Sequence, residues 1–224
     1  MDQFQDHERF EMQVLDILNS ARLLQNLIFG GGTMLRLCHD LDRYSVDLDF
    51  YIKPTFEEGK PAELLSQMVS VLGKQFRITD QADKFNTLLV EVVAQRFPRR
   101  LKVEINKKRT IKNFNESIAW SRFSNTQVLM NTVDLSEMAA MKSEALLNRK
   151  EIRDAYDLEF LLRQGIIIPG DKLDFQRMLA VLRQFSSQDY KVKLGSILNA
   201  DKRRYYEVQH FRLLEQYLIQ QLGE

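Results

Sequence analysis

The stretch FGGGTMLRLCHDLDRYSVDLDFYI, Phe29 to Ile52, opens on three glycines and closes on two aspartates one residue apart in an otherwise apolar run. Its end alternates. Val46, Leu48 and Phe50 fall on one face, and Ser45, Asp47, Asp49 and Tyr51 on the other, which is the period of a strand. Asp47 and Asp49 therefore emerge on the same face. Burying one ionised carboxylate costs several kcal/mol and two repel, so a cation belongs between them. Mg²⁺ suits that place, since it takes oxygen ligands from one or two carboxylates and from substrate phosphates. Taken alone, Asp-Leu-Asp fits an exposed strand face with ordinary acidic residues better, because short motifs recur by chance.

The glycines change that balance. A Gly-rich turn leading into a helix lets backbone N–H groups approach an anion, and the helix dipole favours negative charge there. Gly31, Gly32 and Thr33 form such an element, with Thr33 the expected N-cap of MLRLCHDL. A phosphate cradle followed by a metal-binding carboxylate pair is what phosphoryl or nucleotidyl transfer requires. A two-metal site needs a third acid. RLKVEINK (Arg100 to Lys107) places Lys102, Glu104 and Asn106 on one face, opposite Leu101, Val103 and Ile105. If this strand pairs beside the Asp47 strand, Glu104 reaches the same ions. Glu91, in the more apolar LVEVV, is the rival third acid.

Helical spacing at Phe10, Val14, Ile17, Leu18, Ala21, Leu24 and Leu27 predicts a first amphipathic helix over Glu8 to Leu27. Another helix is predicted from Lys60 to Phe76, and strands at Phe85–Ala94, Arg100–Lys107 and TQVLMN (Thr126–Asn131). From Asp134 the pattern is helical to the end, with Asp134 or Ser136 as N-cap and Gly165 stopping the second of these helices. The later helices are expected around Leu173–Phe185, Tyr190–Leu198 and Arg203–Leu222. Strands followed by helices make the fold class α+β. The division expected is a mixed-sheet core over 1–130, flanked by helices, with a C-terminal helical domain over 131–224 packed on it.

The chain of 224 residues carries a net charge of +1, so any pull toward nucleic acid is local. A single cysteine, Cys38, excludes an intrachain disulfide and reads as a small packed residue rather than a nucleophile. The polar start is no signal peptide and no apolar run nears the ~20 residues of a membrane span, which predicts a soluble cytoplasmic protein. His7, His39 and His210 lack zinc spacing. Arg96, Arg99, Arg100, Lys102, Lys107, Lys108, Arg109 and Lys112 surround Glu104 and suit a phosphate-rich acceptor strand. Edge lysines that suppress aggregation would look the same.

GGTMLRLCHDLDRYSVDLDF resembles the first motif of the AbiEii/AbiGii toxin family, nucleotidyltransferases with a minimal DNA polymerase β-like core. The matching positions are Gly31, Gly32, Thr33, Arg43, Ser45, Asp47 and Asp49. MKSEALLNRKEIRDAYDL resembles the family's later motifs through Lys142, Ala145, Arg149, Arg153, Asp154, Asp157 and Leu158. The likeness runs from about Leu27 to Leu162; Glu104 stands where an Asp is more usual, and the last ~50 residues match no motif.

The resemblance implies a nucleotidyltransferase core, Mg²⁺ or Mn²⁺ at Asp47, Asp49 and Glu104, and a nucleoside triphosphate bound by Gly31, Gly32, Thr33, Arg43, Ser45 and Arg149. It makes Lys142 a site residue that binds triphosphate or neutralises developing charge. Asp157 then orients Lys142 or Arg149, or touches the nucleotide; a plain interhelix salt bridge is the alternative. It also implies a cognate antitoxin, and relatives in the mycobacterial MenT group add nucleotides to the 3′ acceptor end of tRNA. AMPylation of a protein or small-molecule hydroxyl keeps the chemistry with another acceptor, and a catalytically silent RNA- or protein-binding module is the reading from another class.

Overall fold

The computed structural model describes residues 3–56, 60–97 and 99–223. The chain divides into two compact units, Met1–Asp40 with Tyr44–Val133, and Leu41–Arg43 with Asp134–Glu224.

The first unit is built on a seven-stranded sheet. Its elements in chain order are α1 (Gln3–Ser20), β1 (Leu27–Gly30), α2 (Gly31–His39), β2 (Asp47–Ile52), α3 (Pro61–Leu72), β3 (Arg77–Asp83), β4 (Thr87–Val93), β5 (Leu101–Asn106), β6 (Phe114–Ala119) and β7 (Val128–Val133). The spatial order is β3-β4-β5-β2-β1-β7-β6, with β2–β5 and β1–β7 parallel and the other pairs antiparallel. The expected alternation holds. Leu48, Phe50, Leu101, Val103 and Ile105 are buried, while Asp47, Asp49, Lys102 and Glu104 are half-exposed on the other face. Each apolar side chain buried in this way contributes about 1.5–3 kcal/mol. The register that puts them inward also puts both aspartates outward.

Three local expectations are corrected. The first helix ends at Ser20, not Leu27. Arg22 takes φ 61°, a short 3₁₀ turn covers Leu23–Asn26, and Leu27 enters β1. The apolar spacing of Leu24 and Leu27 serves turn and strand as well as a helix. Thr33 is not the N-cap of α2, because Gly30 holds that position and Thr33 lies inside the helix, fully buried. Strands β3 and β6 had no counterpart in the sequence reading. Both end the sheet and are largely exposed, so neither carries the apolar alternation of a strand that faces a core.

The second unit is helical: α4 (Leu135–Arg149), α5 (Ile152–Arg163), α6 (Lys172–Gln184), α7 (Ala200–Gln209) and α8 (Arg212–Leu222). Asp134 caps α4 by accepting from the Ser136 N–H, a contact that typically contributes about 1 kcal/mol. The segment expected as one helix from Arg203 to Leu222 is two helices, broken at His210 (φ 53°), and the residues around Tyr190–Leu198 form π and 3₁₀ turns. Glu159 of α5 ties the unit together. Fully buried, it accepts from the Tyr206 hydroxyl of α7 at 2.9 Å and the Leu214 N–H of α8 at 3.1 Å, and pairs with Arg163.

Candidate functional site

In the sheet unit, Asp49 sits between Gly30 on β1 and Glu104 on β5, each its direct register partner. Asp47 is the partner of Lys102. Because adjacent strands lie about 4.8 Å apart, the carboxylates of Asp49 and Glu104 rise side by side. The next residue, Gly31, has φ +73°, and a Cβ there would stand 2.3 Å from Asp49 Oδ2. Only glycine brings the start of α2 that close to the aspartate, and its positive φ strains any other residue.

Asp47, Asp49, Glu104, Gly31, Gly32 and Thr33 thus all lie on the β1–α2 turn and the β2–β5 ladder. Thr33 does something the sequence did not suggest. Its hydroxyl donates to the Asp47 carbonyl at 2.6 Å. Ser45 precedes β2, and its carbonyl accepts from Arg36 at 3.3 Å.

The two candidate third acids differ in place and in company. Glu104 is on the strand adjacent to β2, with Lys102 Nζ 3.7 Å away and both side chains more than a third exposed. An ion pair that exposed contributes at most about 1 kcal/mol and yields to a better ligand. Glu91 lies one strand further out. It is buried, accepting from the Thr79 hydroxyl at 2.8 Å and from Arg100 at 3.1 Å. Among the described residues, no group of three His, Cys, Asp or Glu is close enough to hold a metal ion by itself. An all-oxygen pair beside a glycine turn does fit Mg²⁺, which keeps water and phosphate oxygens in most of its coordination positions.

The helical unit holds a second charged constellation, buried rather than open. Arg43 donates to Asp157 through two bonds, Nε at 2.6 Å and Nη2 at 2.7 Å. Lys142 Nζ is 2.6 Å from Asp157 and 3.5 Å from Asp154. Arg149 donates to both oxygens of Asp154, at 2.9 and 3.0 Å. Asp154 and Asp157 are fully buried, and Arg43 and Lys142 nearly so. Burial alone would raise the Asp157 pKa, but the charges and hydrogen bonds of Arg43 and Lys142 outweigh it and hold the carboxyl below the usual range. Of the residues expected on the triphosphate, Arg43 is committed to Asp157, whereas Arg149 keeps half its side chain in solvent.

Sequence reasoning passed over Asp154 as a site residue. The signal was present, since Asp154 and Asp157 stand at i and i+3 on one helix face. It also missed His7 and Glu11, polar residues inside the apolar stripe of α1, now seen fully buried. The basic cluster divides in two. Arg96, Arg99 and Arg100 precede β5 and Lys107, Lys108, Arg109 and Lys112 follow it, about 20 Å apart for a strand of six residues. At the second group Phe85 is 82% exposed, with Lys108 Nζ 4.6 Å from its ring centroid. Burial pushes the Cys38 thiol up to about 12, consistent with a packed residue and not a nucleophile. No helix among the described residues is long and apolar enough to cross a membrane.

Comparison with known proteins gives three findings. A family model described as the nucleotidyl transferase AbiEii toxin of the type IV toxin–antitoxin system matches residues 13–221. No curated protein matches the chain. Two crystal structures share the fold. One is JHP933 from Helicobacter pylori, 19% identical, with a TM-score of 0.54, covering 98% of this chain and 95% of that one. The other is a candidate nucleotidyltransferase from H. pylori, 18% identical, with a TM-score of 0.59, covering 98% of each chain.

Proposed function

Because the chain belongs to the family of AbiEii nucleotidyltransferase toxins of type IV toxin–antitoxin systems, we propose that it moves a nucleotide from a nucleoside triphosphate to the 3′ end of tRNA. Growth arrest follows in this reading, relieved by a cognate antitoxin. The observation that carries it is the apposition of Gly31 and Asp49, with Asp47 on the same strand face. Asp47 and Asp49 would hold Mg²⁺ or Mn²⁺, and Glu104 joins them by leaving Lys102. The bound cation would supply charge neutralisation at the phosphates and a more nucleophilic acceptor hydroxyl. The N–H groups at the start of α2 would hold the phosphates, and the helix dipole would add to their pull.

In the helical unit three cations, Arg43, Lys142 and Arg149, meet two carboxylates, Asp154 and Asp157. That surplus of positive charge suits a phosphate. Arg149 is the exposed member that binds it, Lys142 the charge behind it, and Arg43 and Asp157 the frame that holds Lys142 in place. For the acceptor, support comes from Phe85, an exposed ring beside Lys108 on which an unpaired base would stack.

The test is transfer of labelled nucleotide, with each triphosphate in turn, to purified tRNA with Mg²⁺ present and absent. Mg²⁺-dependent label at the tRNA 3′ end is the expected result. Label on protein or on a small-molecule hydroxyl instead would move the acceptor assignment, and none on any acceptor would overturn the transfer itself.

A further inference from the structure

β2 begins at Asp47, so Ser45 and Val46 just before it have no ladder to hold them. Three side chains do that work instead, on three successive carbonyls. Arg36 Nη2 donates to Ser45 at 3.3 Å, His7 Nε2 to Val46 at 2.9 Å and Thr33 Oγ1 to Asp47 at 2.6 Å. Thr33 and Arg36 are one turn apart on α2, and His7 lies on α1. Arg36 is itself gripped by Glu8 and Glu11 of α1. His7, Thr33 and Glu11 are all at most 2% exposed.

We propose that His7, Arg36 and Thr33 form a clamp that positions Asp47 for its cation, with His7 a positioning residue for nucleotide transfer. The inference rests on the reading of Asp47 and Asp49 as metal ligands. A carbonyl only accepts, so Nε2 of His7 carries a proton and donates to Val46. Its Nδ1 is buried without a hydrogen-bond partner, an arrangement that costs free energy. An apolar side chain would fill the same space without that cost. What the imidazole adds is the bond to Val46, one residue from the ligand. Ligand carboxylates must be held within about 0.5 Å of their productive place, and a strand's first residue is where the ladder constrains the backbone least.

The test compares His7→Leu, which removes the donor, with His7→Gln, whose amide N–H can take the place of Nε2–H. Thr33→Val and Thr33→Ser form a second such pair, which carries the test if His7→Leu does not fold. Mn²⁺ binding in the presence of a non-hydrolysable triphosphate is followed by the electron-spin signal of the free ion, beside kcat, KM and thermal midpoint. The donor-less variants should weaken Mn²⁺ binding about tenfold. They should also lower kcat more than they raise the triphosphate KM, and Gln and Ser should restore both. If His7→Leu and Thr33→Val lose thermal stability but keep parental Mn²⁺ binding, while Asp47→Asn loses it, the clamp is overturned and the carboxylate pair stands. If Asp47→Asn and Asp49→Asn also bind Mn²⁺ as the parent does, the metal-site reading falls and the clamp with it.

Discussion

Asp49 and Asp157 are the same residue in opposite electrostatic settings. Asp49 stands half-exposed on a sheet face beside a second aspartate, a glutamate and a glycine turn. Asp157 is fully buried, with two bonds from Arg43 and one contact from Lys142. One carboxylate stands with two other acids and Lys102 on an open face that a mobile cation can reach. The other has its counter-charges built in. Buried charges with complete partners hold a fold in one arrangement, while a crowded acidic face is the kind of place where chemistry is done.

That contrast can be broken by exchanging the outcomes of two substitutions. Asp49→Asn should lower nucleotide transfer by about a thousandfold and move the thermal midpoint far less than a change at a buried charge does, since Asp49 is half-exposed. Asp157→Ala should act on stability first and on transfer through it. Leaving Arg43 and Lys142 buried without their partner should cost about 3–5 kcal/mol of stability, read by urea denaturation. A stable, folded Asp157→Ala protein with normal transfer would remove the helical constellation from any role.

Two buried carboxyl groups, Asp157 and Glu11, should respond to pH with opposite sign. Asp157 has a depressed pKa, so its contribution is present above its ordinary value near 3.8 and is lost as the pH falls through its lower folded value. Glu11 is pushed up to about 7, first by burial, with Arg36 opposing. A raised carboxyl favours folding when protonated, so its contribution is complete below 4.5 and lost as the pH rises through about 7. His7, lowered chiefly by burial, works against Glu11 in the same window, because its contribution is present above 6.5 and lost on acidification. Glu11→Gln isolates the glutamate. The variant should gain on the parent as the pH rises from about 5 to about 7, by at most about 3 kcal/mol, measured by urea midpoints. A parallel pair of pH curves would refute it.

Smaller effects sharpen the picture. Gly31→Ala should cost about 1–2 kcal/mol from its positive φ alone, and more in transfer than in stability, because the added methyl displaces Asp49. Arg149→Ala should change stability by more than Phe85→Ala, because it takes one of two cations from buried Asp154; Phe85→Ala should change it by less than about 0.5 kcal/mol. Their effects should separate in steady-state kinetics: the first raises the triphosphate KM, and the second raises the KM for tRNA at every salt concentration with its salt slope unchanged, since no phosphate contact is lost.

Much of the sheet unit was legible in the chain. Alternation in SVDLDFYI and RLKVEINK gave the faces of β2 and β5, and it put Asp47, Asp49 and Glu104 on matching sides. Three glycines before a helix pattern marked the turn at Gly31. The edge strands β3 and β6 were not legible, since a strand with little buried face has no apolar period to read. Thr33 misled, because a threonine after glycines looks like a cap, whereas its hydroxyl is spent on the Asp47 carbonyl. In the helical unit Lys142, Arg149 and Asp157 were visible as residues. That Arg43, more than a hundred positions away in sequence, would close on Asp157 was not.

By itself, then, the sequence determined the periodic faces, the glycine turn and the supply of carboxylates and cations, because these depend on neighbours within a few residues. Which charge meets which was decided only by the tertiary structure. Glu104 beside Asp49, Arg43 on Asp157 and His7 under Val46 each join residues far apart in the chain. Coulomb energy and hydrogen bonding act across space, and local periodicity carries no record of them.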